Sequence, residues 1–154
     1  MTDVATSPAK PISMTLVRRI KADRERVFDA LTNPASLAVW WGPRGCSCPD
    51  PQVDLQVDGS YRLDIKVSDG SLRPLTGRYL EIDPPARLVF TWVWGTGEYA
   101  GIETTVAISL KQRGPQDTEL TLTHSGFTSD DAAQNHETGW TSSLDCLAEI
   151  AEAG

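Results

Sequence analysis

The sequence predicts an α+β fold: a curved antiparallel sheet of about seven strands wrapped around one long C-terminal helix. Three observations predict it. From Val53 to His124, apolar and polar residues alternate in short runs separated by Gly, Asp and Pro, the period of half-buried strands. From Ser129 to Ala151 the period becomes helical. At ~100° per residue, His136, Trp140, Ser143, Leu147 and Ile150 fall on one stripe roughly 80° wide. No other segment is long enough to cover a sheet, so stripe and sheet must bury each other.

The elements follow in order. Ile12 to Ile20 alternates as a first strand, with Met14, Leu16, Arg18 and Ile20 on one face. Arg18 there either snorkels at the strand end or points into a polar pocket. Asp23 caps a short helix, Arg24 to Leu31, that buries Val27, Phe28 and Leu31. Asn33 caps a second, starting at Pro34, where the missing N–H costs nothing, and ending near Trp40 before Gly42-Pro43-Arg44-Gly45. Two short helices between one strand and a sheet is an unusual order.

The strands then follow without interruption. Val53 to Val57 leads through an Asp58-Gly59 hairpin signal into Tyr61 to Val67, and Ser68-Asp69-Gly70 makes the next turn. Leu75 to Ile82 is broken by Asp83-Pro84-Pro85. Leu88 to Trp94 places Leu88, Phe90, Trp92 and Trp94 on one face. After the glycine-rich stretch Gly95 to Gly101, Ile102 to Leu110 and Glu119 to His124 complete the sheet. Short turns between successive strands mean antiparallel pairing. A twisted sheet of this size curls around its helix, and any gap between them becomes an internal cavity. Ser129 is the expected N-cap of that helix, with Asp130 and Asp131 at the positive end of its dipole.

Composition narrows the function classes. The chain has 154 residues, 40% of them hydrophobic and 23% charged, as in an ordinary globule. Residues 1–11 read as a flexible tail and residues 12–154 as one domain. A net charge of -7 argues against nucleic acid or an anionic membrane as the main partner. No apolar run approaches the ~18 residues that insert into a bilayer, and Met1 to Lys10 lacks a secretory h-region. Cys46, Cys48 and Cys146 read as free thiols of a cytoplasmic protein, because Cys46-x-Cys48 lacks the second pair of a zinc site. There is no G-x-G-x-x-G opening a helix, no Walker lysine, no G-x-S-x-G and no H-E-x-x-H, so neither metal nor cofactor is expected.

The residues able to carry chemistry are few. His136 lies at the centre of the helix stripe, and His124 shares a face with Leu120 and Leu122, so both imidazoles face one interior. They either exchange protons with a ligand, an unperturbed histidine titrating near ~6.5, or donate to backbone carbonyls and lock the strand-to-helix junction. No carboxylate stands at a triad spacing to orient either ring, which favours the second role. Glu98, Tyr99 and Glu103 lie on or just after the glycine-rich stretch; a desolvated Glu103 would be a candidate base, but acids are seldom buried, which favours a solvated loop acid. The aromatics supply both core and cavity wall. Trp92, Trp94 and Trp140 lead the expected lining, joined by His136, Phe90, Tyr61, Tyr99 and Leu144, while Trp40 and Trp41 pack at the short-helix end or guard the mouth.

Several motifs stand along the chain beside this order of elements: Arg18 to Ala22, Val27-Phe28-Asp29-Ala30-Leu31-Thr32-Asn33-Pro34, Trp40-Trp41-Gly42-Pro43, Asp58-Gly59-Ser60-Tyr61 and Asp83-Pro84-Pro85-Ala86-Arg87-Leu88. Leu122-Thr123-His124-Ser125-Gly126-Phe127 and His136-Glu137-Thr138-Gly139-Trp140 complete the set. Together they resemble the START-like (SRPBCC, birch-pollen-allergen-like) superfamily, and within it the homologues of the activator of the heat-shock-protein-ninety ATPase. Ala22-Asp23 stands where such proteins commonly carry Ala-Pro. The resemblance implies a helix-grip fold with a pocket for an apolar ligand, and it implies no single activity. Three expectations follow. The first is a binder of a small hydrophobic, lipid-like or aromatic molecule. The second is a cyclase, hydrolase or dehydratase using His136, His124 or Glu103. The third is a module stimulating a chaperone ATPase. A homodimer is compatible with the sequence, but no residue specifies its interface.

Overall fold

A computed structural model describes residues 12–153; the expected N-terminal tail lies outside them. The order is β1 (Ile12–Ile20), α1 (Arg24–Thr32), α2 (Pro34–Trp40), β2 (Gln52–Val53), β3 (Ser60–Arg62), β4 (Ile65–Lys66), β5 (Leu72–Arg73), β6 (Leu75–Asp83), β7 (Arg87–Trp94), β8 (Thr104–Gly114), β9 (Asp117–Phe127) and α3 (Asp130–Ala153). Seven strands form one antiparallel sheet in the order β1-β9-β8-β7-β6-β3-β2, and β4 pairs with β5 as a separate ribbon. The fold is α+β, the helix grip expected from the sequence, with α3 held against the inner face.

The caps are where the side-chain chemistry puts them. Asp23 accepts from the Arg26 amide at 2.8 Å, Asn33 from Ala35 at 3.0 Å, and the Ser129 hydroxyl from Ala132 at 3.0 Å. Asn33 also closes α1, its own N–H donating to the Asp29 carbonyl, so one residue ends one helix and begins the next. On β8 and β9 the buried positions alternate strictly, with Val106, Ile108, Leu110, Leu120, Leu122 and His124 turned inward. The expected stripe of α3 is rotated slightly. Leu144, Leu147, Ala148 and Ala151 carry its buried centre, while Ile150 and His136 stand at half-buried edges.

Two strands are shorter than the alternation suggested. Of the Val53 to Val57 run only Val53 is strand, paired with Gln52 in β2; Leu55 and Val57 are 42% and 57% exposed. The chain folds back on itself there, with Gln56 N–H donating to Asp54 and Gly59 N–H to Gln56. Asp58 takes a left-handed φ of 67°, and a Cβ on Gly59 would stand 2.2 Å from the Asp54 carbonyl oxygen. Tyr61 to Val67 likewise breaks after Arg62, and its second half leaves the main sheet to form the β4–β5 ribbon. That departure separates the ribbon from α3 and helps leave a space between them.

α3 is pinned at its C-terminal half. Arg18 on the inner face of β1 pairs with Asp145, Arg44 with Glu149, and the Lys21 amide donates to Glu152 at 2.9 Å. Arg18 therefore meets a carboxylate on the helix, and the pair stays partly open to solvent. No helix among the described residues is long and apolar enough to cross a membrane.

Candidate functional site

Between the N-terminal half of α3, strand β7 and the β4–β5 ribbon lies a cavity of about 500 Å³. β7 contributes Trp92 and Trp94, because positions two apart on a strand point to the same side. α3 contributes Asn135, His136, Gly139, Trp140 and Ser143, whose spacings of three and four keep them on one face. The segment after α2 adds Trp41, Gly42, Pro43 and Cys46, and the ribbon adds Ile65, Val67 and Arg73. Thr96, Gly97, Glu98 and Tyr99 close the circle. Arg73, Thr96, Gly97 and Glu98 are exposed, which makes this side the mouth. Gly139, in mid-helix, meets nothing nearer its absent Cβ than Pro43 Cγ at 3.9 Å.

The aromatic wall is continuous. Trp92 lies 5.9 Å from Trp41, 5.5 Å from Trp94 and 5.2 Å from Trp140, centroid to centroid. Tilted and edge-to-face pairs of this kind add to area burial. Trp94 donates its indole N–H to Nε2 of His136 at 3.0 Å, and Trp140 donates to Nδ1 of His124 at 3.0 Å. An indole nitrogen only donates, so both receiving nitrogens are unprotonated. The other nitrogens then carry the protons. Nδ1 of His136 donates to the Ala132 carbonyl at 2.8 Å, and Nε2 of His124 donates to the Thr104 hydroxyl at 2.7 Å. That hydroxyl donates in turn to the Trp92 carbonyl at 3.2 Å. The two histidines are neutral and of opposite tautomer, 5.1 Å apart.

Their electrostatics agree with this arrangement. Burial pushes His124 down to about 2, and the neighbouring His136 adds to the effect. His136 is lowered too, by burial, with the Ala132 carbonyl opposing. Both ring nitrogens of each histidine are engaged, which leaves no lone pair for general-base work. The locking role is thus the one that their contacts fit, although His124 locks through a threonine rather than a backbone carbonyl.

The other expected site residues divide. Trp92, Trp94, Trp140, His136 and Tyr99 come together around the cavity. Phe90 and Tyr61 do not reach it. They stack with Tyr79 farther along the sheet, and the Tyr61 hydroxyl donates to the Thr91 carbonyl, filling that end as core. Leu144 is 2% exposed and does not line the cavity, although its neighbour Ser143 does. Glu103 sits on the opposite side of the sheet, in a surface groove with Arg62 and Arg78, and is exposed. It lies just before β8 and outside the cavity lining. Trp40 donates to the Ala30 carbonyl at 2.7 Å and is core, while Trp41 is a full wall member. Trp41 caps α2 with extended angles (φ -61°, ψ 130°), so its ring leaves the helical spacing and turns into the cavity. The tandem Trp40-Trp41 before Gly42-Pro43 was the available signal for it.

Polar groups without partners are rare here and concentrated. The Nε1 atoms of Trp41 and Trp92 are buried with no hydrogen-bond partner among the described residues. Each such donor costs about 1–3 kcal/mol of desolvation. At the mouth Asn135 donates to the Tyr99 hydroxyl at 2.7 Å. The thiols are unpaired, and burial pushes Cys48 up to about 11. Among the described residues no three His, Cys, Asp or Glu side chains are gathered as metal ligands.

Solved structures share this architecture. Protein CV1439 from Chromobacterium violaceum aligns with a TM-score of 0.82 at 28% identity, covering 92% of this chain and 99% of that one. The AHSA1 protein from Silicibacter pomeroyi aligns at 0.80 and 28% identity, covering 90% and 96%. CalU16 from Micromonospora echinospora aligns at 0.71 and 27% identity, covering 92% and 76%. No curated protein matches the chain. The model of the family described as "Activator of Hsp90 ATPase homolog 1-like protein" matches residues 21–152, from the end of β1 through almost all of α3. The chain belongs to that family.

Proposed function

We propose that this protein binds a small hydrophobic or aromatic molecule in the cavity between α3 and β7. The observation that carries the proposal is the cavity itself: about 500 Å³, walled by Trp41, Trp92, Trp94 and Trp140, with polar groups confined mainly to its mouth. That size and lining are those of small-molecule sites, which are concave, mainly apolar and largely preformed. Binding fits the residues better than catalysis does. His124 and His136 spend both ring nitrogens on fixed partners, and Glu103 lies on the far side of the sheet.

The test is native mass spectrometry of the purified protein against its denatured mass, followed by tryptophan-fluorescence titration with aromatic and acyl compounds. A retained mass that disappears on denaturation, or a saturable change in emission, is the expected result. An apo mass with no response to any compound would overturn the proposal.

The family description suggests a second reading, stimulation of a chaperone ATPase. An ATPase assay with purified chaperone decides it: no stimulation at saturating protein removes that reading.

A further inference from the structure

The thiols are reactive groups that ligand binding leaves unused. Cys46 and Cys48 flank Ser47, whose backbone bridges to Lys66 as in a strand, so their side chains diverge. Cys48 turns into the core, 1% exposed, and burial pushes its thiol up to about 11. Cys46 is half-buried and lines both the cavity and a second, surface hollow. Cys146 of α3, also half-buried, lines that same hollow beside Arg44, Glu149 and Ile150.

The turn after α2 is fastened to α3 on both sides of Cys146. Arg44 donates its backbone N–H to the Ser142 hydroxyl at 2.8 Å, and its guanidinium pairs with Glu149. Ser142, Cys146 and Glu149, four and three residues apart, share one face of the helix, with the cysteine in the middle. One residue of the turn therefore straddles Cys146. Two residues on, the Cys46 N–H donates back to the Pro43 carbonyl at 3.0 Å, which folds the turn and keeps Cys46 near Arg44. Charge shows the same nearness. The Cys146 thiol is held up by burial first, with Arg44 opposing and Glu149, Asp145 and Cys46 adding.

We infer that Cys46 and Cys146 are a redox-active pair, which a small disulfide such as glutathione disulfide oxidises to a reversible bridge between the cavity wall and α3. Cys46, open to two hollows, attacks first. Its thiolate bonds to one glutathione sulfur, and the other glutathione leaves as a thiolate. The Cys146 thiolate then attacks the Cys46 sulfur and expels the second glutathione. The two thiol protons end on the two glutathiones, so the protein loses two electrons and the oxidant gains them. Such a bridge needs Cα atoms within about 7 Å. The turn from Gly42 to Cys46, outside every helix and strand, is the side that adjusts. Because Gly42 and Pro43 also line the cavity, the bridge fixes that wall to the helix, whatever the cavity holds.

The test incubates the intact protein in glutathione buffers from fully reduced to fully oxidised, alkylates it under denaturing conditions and measures its mass. Free thiols should fall from three to one, with no glutathione retained. Cleavage at arginine should leave residues 45–62 joined to residues 114–154, and Cys48→Ala should give the same joined pair. Cys46→Ser and Cys146→Ser should each lose it. Closing a loop of roughly 100 residues should raise the melting temperature by about 10 °C, and dithiothreitol should restore the original value. A bridge between Cys46 and Cys48, a disulfide-linked dimer, or glutathione held on both cysteines without joining overturns the inference. So do three free thiols in the most oxidised buffer, or a bridge that lowers the melting temperature, because the thiols would then meet only in a distorted fold.

Discussion

Trp140 Nε1 donates to Nδ1 of His124 across 3.0 Å, tying the middle of α3 to β9 through two side chains that are both almost wholly buried. The bond has no water to replace it. Trp140→Phe keeps an aromatic ring but strands the His124 acceptor and leaves space beside Trp92. We expect a loss of about 2–4 kcal/mol, the sum of an unmade buried hydrogen bond and a small cavity. Urea denaturation of the two proteins measures it. A loss under about 1 kcal/mol would mean that the bond contributes little beyond packing.

The same neutral histidines set a pH dependence. Burial, with His136 adding to it, holds His124 at about 2 in the folded protein, against 6.5 for the exposed side chain. His136 is lowered as well, chiefly by burial. The unfolded chain therefore takes up protons that the folded chain refuses. Stability is full above about 6.5 and falls as the pH drops below it, and the His124 share keeps falling toward about 2. The slope is about 1.4 kcal/mol per pH unit for His124, with a smaller share from the half-exposed His136. Urea midpoints measured from about pH 7.5 down to 5 stay above the range in which Asp69, Asp117 and Glu119, whose hydrogen bonds hold them below the usual carboxylate range, take up protons. His124→Gln should flatten the slope over that interval. An unchanged slope would place the proton uptake elsewhere.

Gly139 offers a trade that can be measured. A helical glycine costs about 1 kcal/mol relative to alanine, and here the added Cβ would meet only Pro43 Cγ at 3.9 Å. Gly139→Ala should stabilise the fold by about 0.5–1 kcal/mol. It should also weaken ligand binding, because the new methyl group projects from the cavity wall. Thermal denaturation and titration of the same variant test both halves.

Gly77 shows the opposite case. A Cβ there would fall 2.1 Å from the Thr91 carbonyl oxygen and 2.6 Å from Tyr61 Cε2. Tyr61 lies across the glycine and donates to that same carbonyl. Gly77→Ala must push apart β6, β7 and the tyrosine together. A loss above about 3 kcal/mol is expected, of the size seen when a core is overpacked, and a soluble variant with a wild-type melting curve would contradict the packing described.

Glu103→Gln is the control for the site. The carboxylate faces the outer groove near Arg78 and is exposed. Ligand affinity should be unchanged and stability should shift by less than about 0.5 kcal/mol, as for most surface changes. A binding defect in this variant would move the site to the other face of the sheet.

The architecture was legible because its signals are local and periodic. Alternation on β8 and β9, the helical period of α3 and the three caps each follow from neighbours within a few residues. The Val53 to Val57 run misled for a physical reason: alternation records side-chain type, and a chain folding back through Asp54, Gln56 and Gly59 carries the same alternation without a partner strand. The site was half legible. Parity placed Trp92 and Trp94 together, and helical spacing added His136 and Trp140. Nothing local distinguishes Phe90, which continues the same face of β7, from its cavity-lining neighbours. The difference is that Tyr61 and Tyr79 arrive from β3 and β6 to cover it. Glu103 was a candidate because the glycine-rich stretch before it was expected to edge the cavity; Thr96 to Tyr99 do so, but the chain has left the cavity by Glu103, which lines the outer groove as a solvated acid.

All five tryptophans of the chain belong to one connected cluster, since Trp40 touches Trp41 at 5.2 Å and the other four surround the cavity. Rings so near exchange excitation energy, and no indole elsewhere dilutes their emission. The protein's intrinsic light therefore reports on a single place, and quenching by a bound molecule, a pivot of Trp41 or a slackening of α3 would all be seen in the same band. Unfolding followed by that light measures the opening of the cavity first and the melting of the distant sheet edge only through it.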